Sequence, residues 1–382
     1  MAKGDKRRSA TTTGPTHIGL VANRRNRKPT VTDDAGKTPD VLQYELWSTF
    51  WSSEAGNLSN TVELWDAIPK FGVHRNKQIE LRDPEGRLPL YRTAFRYRDE
   101  QCQLEIQPAM VHEDGRDIAY YPAGDEELVW EALVKLFSDQ QYGFHDAKES
   151  PPSSYVRFTL RMLQKELSEH GHARSIPQIR HAVEILSRSV IIIYKGSSKT
   201  PIYRDVILGG LIDMTRDDYL DDPKRFWIGR LPGMISAALS KLEYRQYNYQ
   251  TSLSLKEPFA RWLHRRMTHR FTNAQLMGSY HLALSTMQED SALLDGDNIT
   301  RIVKRVDACF RELKKNGVLS TVEKEIHRDT GRGRKILDVV WTVYPLPDFV
   351  RDIKAANGRL KDSNLRLSLV GSRPEHNTKL TK

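Results

Sequence analysis

"NITRIVKRVDACFRELKKNG" (298–317) runs almost directly into "TVEKEIHRDTGRGRKILDVVWTV" (321–343), and the two together decide the fold. In the first segment Ile299, Ile302, Val303, Val306, Phe310 and Leu313 recur at helical spacing, so a helix buries one side. Arg301, Lys304, Arg305, Arg311 and Lys315 fall on the opposite side, diluted but not cancelled by Asp307 and Glu312. Asn298 is a fitting N-cap, and Asn316-Gly317 closes the helix through a residue free to adopt φ > 0. In the second segment two apolar runs flank a short polar tip, the pattern of a β-hairpin. A tight turn uses glycine, which Gly331 and Gly333 supply. It has no use for Arg328, Arg332, Arg334 and Lys335.

A duplex explains those cations. A helix with a cationic outer face can enter a major groove, and a hairpin with a cationic tip can reach the flanking phosphates or the minor groove. Lys and Arg there would replace condensed counterions. The residues expected at DNA in this unit are Asn298, Thr300, Arg301, Lys304, Arg305, Arg311, Lys315, Arg328, Arg332, Arg334 and Lys335.

Working outward, the same succession occurs twice. Helices are predicted over 125–138, 159–169 and 175–189, followed by the hairpin "SVIIIYKGSSKTPIYRDVILGGLI" (189–212). Helices are then predicted over 255–270, near 279–289 and over 299–316, followed by the hairpin above. Three helices and a two-stranded wing, twice, make a pair of winged helices. The fold class is α+β: two tandem winged-helix domains with a disordered basic N-terminal tail and a mobile C-terminal tail. The expected divisions are 1–40, a disordered basic tail; 41–122, a mixed N-terminal extension with short alternating strands; 123–215, the first winged helix; 216–350, the second; and 351–382, the C-terminal tail. The first unit reads DNA more weakly. Its third helix presents His181, Glu184 and Arg188 outward, and its hairpin tip offers Lys195 and Lys199, suited to phosphate contact or to a protein surface.

Composition agrees with a polyanionic partner. Among 382 residues, 59 Lys and Arg outnumber 49 Asp and Glu, a formal charge of +10. The two cysteines, Cys102 and Cys309, are far apart and in no metal-ligand spacing, as suits a reducing compartment. No run of 18 apolar residues suggests a membrane span, and the cations Lys3, Lys6, Arg7 and Arg8 precede no apolar signal core.

Four segments carry a resemblance. "GDEELVWEALVKLF" (124–137), "FTLRMLQKELSEHG" (158–171) with "IRHAVEILSRSVI" (179–191), "LSLKEPFARWLHRRMTHR" (253–270) and "RIVKRVDACFRELKKNGVL" (301–319) resemble the plasmid replication initiators of the TrfA-like group, relatives of the two-winged-helix Rep-type iteron-binding proteins. The resemblance covers roughly 120–345. It implies a cytoplasmic bacterial protein, associated with plasmid and nucleoid, that binds repeated origin sites (iterons) as a monomer. It further implies help in opening the origin and recruitment of the host helicase, initiator and sliding clamp, with a homodimer, formed through the first winged helix, in equilibrium with the monomer. Some members of the group touch the clamp through a short peptide ahead of the first winged helix. The matching place is "TVELW" (61–65), with Thr61 where the group has Gln, and Val62, Leu64 and Trp65 as the apolar anchors. No cofactor, metal or catalytic residue is implied.

Two other readings use the same modules or motifs. One is a winged-helix transcriptional repressor, of the autoregulatory kind that initiators often are. The more distant one is a rolling-circle nickase, for which "HGH" (170–172) would supply two metal-binding histidines. Here the glycine falls in a turn between helices and no acid is well placed beside it. "GSSKT" (196–200) lacks the first glycine of a phosphate loop and the glycine before Lys199. The acid pairs Asp217-Asp218 and Asp221-Asp222 read as solvated turn residues.

Overall fold

Helix caps written into the sequence are where the chain turns. The structure, a computed structural model, describes residues 58–138, 142–213, 226–241, 243–271, 275, 278–294, 296, 298–329 and 335–371, with backbone only at 212–213 and 362–371. The expected N-terminal tail, the acid pairs at 217–222 and the last eleven residues lie outside them.

The first unit begins with β1 (Leu58–Thr61), α1 (Glu63–Ala67), α2 (Arg75–Leu81), β2 (Tyr91–Tyr97), β3 (Glu100–Gln107), β4 (Ala109–Glu113) and β5 (Arg116–Tyr120). Its three principal helices follow: α3 (Gly124–Phe137), then β6 (Gly143–Asp146) and β7 (Ser153–Phe158), then α4 (Leu160–Glu169) and α5 (Ile176–Arg188). Glu126 folds back to accept the Ala123 N–H at 2.7 Å, Thr159 caps α4 through the Met162 N–H, and Ser175 with Gln178 forms a capping box before α5. The wing is β8 (Val190–Lys195) and β9 (Tyr203–Val206). β10 (Gly209–Asp213), β11 (Trp227–Arg230), α6 (Gly233–Ser240), β12 (Arg245–Asn248) and α7 (Tyr249–Ser254) complete it.

The second unit is α8 (Pro258–Arg270), β13 (Tyr280–Ala283), α9 (Leu284–Ser291), α10 (Ile299–Lys315), β14 (Leu319–Arg328) and β15 (Ile336–Pro345), followed by α11 (Pro347–Gly371). Its sheet order, β13-β15-β14, places the short strand after the first helix beside the far strand of the wing. That order with three helices is a winged helix. The predicted helix near 279–289 divides. Its first residues pair with β15 as a strand, Leu282 opposite Trp341, and the helix starts only at Leu284.

Two hydrophobic cores result, and they redraw the expected divisions. The first core runs from Val62 to Leu253 and the second from Leu255 to Ile353. The described part of 41–122 is no separate extension. β3 pairs with β8 of the first wing, so Leu104 and Ile106 enter its core opposite Ile193 and Ile191. Described residues between 226 and 253, including Tyr244, Tyr247 and Tyr249, pack with the first core rather than the second. Residues 351–371, read as tail, continue α11, and Phe349, Val350 and Ile353 bury that helix's first turns in the second core. The polar composition of the segment hid this, because among the helix's described side chains the buried Phe349, Val350, Ile353 and Ala356 are interspersed with exposed polar residues.

Candidate nucleic-acid interface

Burial on α10 follows the sequence pattern. Ile302, Val303, Val306, Cys309, Phe310 and Leu313 face the core, and Phe310 lies 5.7 Å from Trp341 between ring centres. Asn298 caps the helix by accepting the Arg301 N–H at 3.1 Å. Arg301, Lys304, Ala308, Arg311 and Lys315 are exposed and lie within an arc of about 80° at ~100° per residue. Their arc is opposite the buried one. The four cations of this stripe make no ion pair among the described residues. Thr300 sits at its edge, and Lys314 is also exposed.

Three charged residues of α10 do something other than face solvent. Arg305, expected at a base, is half-buried. Its Nε donates to Glu257 at 2.8 Å and its Nη1 to the Leu293 carbonyl at 2.6 Å. Glu257 is the N-cap residue of α8, so Arg305 sets the helix against its neighbour and is not available to a groove. Asp307 accepts from Trp341 Nε1 at 2.8 Å and from Lys324 at 2.6 Å, fastening both wing strands to the helix. Glu312 accepts the Lys256 and Glu257 N–H groups at the start of α8. Spacing alone assigned both acids to the outer face. Their engagement with protein leaves that face more cationic than the sequence suggested.

The wing extends beyond these fasteners. Asp329 N–H donates to the Lys335 carbonyl at 2.8 Å, closing its stem. Lys335 is exposed. Arg332 and Arg334 lie outside the described residues.

The first unit departs from expectation. β4 and β5 pair as a hairpin and lie on α5, where Ala109, Val111 and Ile185 form a small core of their own. His181 meets Glu113 at 2.8 Å and packs edge-on against Tyr120. Arg188 donates to the Met110 carbonyl at 2.6 Å and pairs with Glu184 at 2.7 Å. Both were expected at DNA, and both are engaged within the unit, because a hairpin distant in sequence folds onto this helix. Lys195 pairs with Glu100 at 2.6 Å on the surface, and Lys199 is exposed at the hairpin tip.

The expected clamp peptide is also displaced. Val62 and Trp65 are buried in the first core, Trp65 at 3% exposure, and its ring lies 4.9 Å from that of Trp130. Leu64 packs against the same core. A side chain already holding its own core cannot anchor in another protein without unfolding α1. The two histidines of 170–172 diverge. His170 bonds the Glu166 carbonyl at 2.9 Å and His172 the Leu253 carbonyl at 2.5 Å. Among the described residues no group of three His, Cys, Asp or Glu is placed to hold a metal ion.

Sequence reasoning missed the joint between the units. Arg261 and Arg265 of α8 reach Glu127 and Glu131 of α3. Arg261 meets Glu127 at 2.6 Å, and Arg265 meets Glu127 at 2.8 Å and Glu131 at 3.0 Å. All four are buried, Arg261 at 2% exposure. His269 extends the cluster to Asp66 at 2.8 Å, and Tyr247 donates to Glu131. Burial pushes Glu127 up, but the two guanidiniums outweigh it and hold its carboxyl at about 2. Lys70 lies 4.3 Å over the Trp65 ring. Burial lowers its ammonium to about 7 against the opposing pull of Asp66. Arginines four residues apart on α8, matched by glutamates four apart on α3, were the available signal.

No protein-family model matches the chain, and no curated protein matches it. Its backbone is similar to a crystal structure of domains 2 and 3 of RctB, a selenomethionine derivative (TM-score 0.44, 12% identity, 69% of this chain and 94% of that one). A second structure of RctB domains 2–3 gives 0.40 at 12% identity, covering 72% and 97%. The Pi initiator protein in complex with iteron DNA gives 0.33 at 13% identity, covering 77% and 98%. Among the described residues no helix is long and apolar enough to cross a membrane.

Proposed function

We propose that the chain is a replication initiator of the plasmid type, which reads repeated duplex sites through its second winged helix. The observation that carries DNA reading is the cationic stripe on α10, without ion pairs among the described residues, beside a wing fastened to the same helix. Arg301 and Lys304 supply major-groove and phosphate contacts near the helix start, and Arg311 and Lys315 continue them over about 21 Å of helix. Lys335 with Arg328 adds phosphate contacts from the wing. Asn298 and Arg305 act indirectly, one by starting the helix and the other by seating it on α8. The first unit, with α5 covered, serves phosphate contact at Lys199, dimerisation, or recruitment of host replication proteins rather than base reading. Residues 61–65 are not the route to a clamp.

The four-segment resemblance favours an initiator over a repressor that uses the same modules. Footprinting the full chain on its native replicon separates them. Several evenly repeated protections support the initiator, one palindrome supports the repressor, and no protection removes DNA reading altogether.

A further inference from the structure

The wing carries an apolar side chain that neither its hairpin nor its core uses. β14 and β15 pair regularly from Val322 opposite Val343 to His327 opposite Asp338, and then the register slips so that Arg328 meets Ile336. Leu337 is the extra residue. A bulge of this kind re-aims a side chain. Ile336 packs on the second core, whereas Leu337 stands 62% exposed. Ile326, two residues before the slip and opposite Val339, is also exposed at 37%.

Single exposed leucines are ordinary, so position decides. β14 starts where α10 ends and passes Asp307 at Lys324. Four further residues carry the strand about 13 Å to Arg328. Eight residues back from Asp307 carry the helix ~12 Å to its first turn. Counted along each element from that bond, the bulge is about as far from Asp307 as Thr300 and Arg301 are, at the end where the cationic stripe begins. Lys335 and Arg328 flank it. Its nearest acid in sequence, Asp338, is drawn onto Ser285 of α9, which donates to it at 2.7 Å. Glu323 and Glu325 alternate with Ile326 and so fall on the other strand face. An exposed apolar side chain flanked by Arg328 and Lys335, beside the Asp329–Lys335 closure of the stem, fits a partner that is anionic outside and stacked inside.

Resting on the DNA-reading role proposed above, we infer that Leu337 is a wedge that enters the minor groove and opens the base step beside the segment read by α10. Partial unstacking by an apolar side chain kinks a duplex and favours steps that deform easily, giving specificity where no base edge is touched. An opened step next to each bound site would also lower the barrier to melting neighbouring base pairs.

The test uses the full chain and duplexes enriched by it from a random-sequence pool, with 2-aminopurine walked along the bound site. The expected result is a fluorescence rise at one step flanking the major-groove footprint. Leu337→Ala and Leu337→Gln should abolish that rise and weaken binding roughly tenfold, with an unchanged salt dependence and melting temperature, and Leu337→Met should restore both. A rise that persists in Leu337→Ala, or no rise in the wild type, overturns the wedge. In that event, intact enrichment keeps DNA reading and leaves the leucine to a protein contact. Failure to enrich any duplex overturns both readings.

Discussion

Arg301 and Arg305 sit one helical turn apart on α10 and do different work. Arg301 is exposed, while Arg305 is held by Glu257 and the Leu293 carbonyl. Charge reversal at Arg301 should cost ~1–3 kcal/mol of discrimination between sites and leave the melting temperature unchanged. Arg305→Ala should lower stability by about 1 kcal/mol, since the ion pair is part-exposed, and weaken DNA binding only through a displaced helix. Melting curves and titrations on the same preparations would distinguish the two, and equal melting temperatures would refute the seating role. Trp65 gives a harsher contrast. Trp65→Ala should destabilise the first unit by ~3–5 kcal/mol through cavity formation. A variant that stayed stable but lost a partner would reinstate the segment as an anchor. Both corrections have one cause. A residue's spacing tells which side of a helix it occupies, but not what another part of the chain brings to that side.

At the scale of elements, the wing was legible and its fastening was not. Alternating apolar runs around two glycines specify a hairpin locally, and the observed register bears this out. The bond from Asp307 to Trp341 and Lys324 joins residues far enough apart in sequence that no periodicity reports it. If the tip meets phosphate, replacing Arg332, Arg334 and Lys335 by Ala should weaken specific and random duplexes alike. The slope of log K against log[salt] should flatten by roughly 0.9 for each phosphate no longer neutralised, and an unchanged slope would exclude the tip from the interface. The first unit shows the converse. Its third helix has the amphipathic pattern of a reading helix, yet β4 and β5 cover it through Val111 and Ile185.

Across the whole molecule, the buried cluster of Glu127, Glu131, Arg261 and Arg265 couples the two cores. Removing one side of such a cluster leaves charge unpaired and costs about 3–5 kcal/mol. Calorimetry should show one cooperative transition for the wild type and two for Arg261→Ala with Arg265→Ala, and a single transition in that double variant would mean the joint does not couple the units. The pH dependence has a definite sign. Glu127, held at about 2, contributes stability that is fully present above its ordinary 4.5 and is lost as pH falls from there towards about 2. Lys70, lowered to about 7, binds its proton more weakly in the folded chain than in the unfolded one. Stability should therefore rise between pH 7 and 10.5, by at most roughly 1.4 kcal/mol per pH unit. Urea unfolding across pH 7–9 should show this rise in the wild type and not in Lys70→Met. By itself the sequence determined the principal helices of the two units apart from the strand that opens the segment at 279–289, the caps of α10, the repeated order of three helices and a wing, and the cationic face of α10. These follow from periodicity and short-range capping, which act within a few residues. Only the tertiary structure decided which charges face outward, that Trp65 and α5 are covered, that the described residues from 226 to 253 belong to the first core, and that two arginines join the units. Each of these depends on groups brought together from distant positions, where burial and pairing override the local pattern.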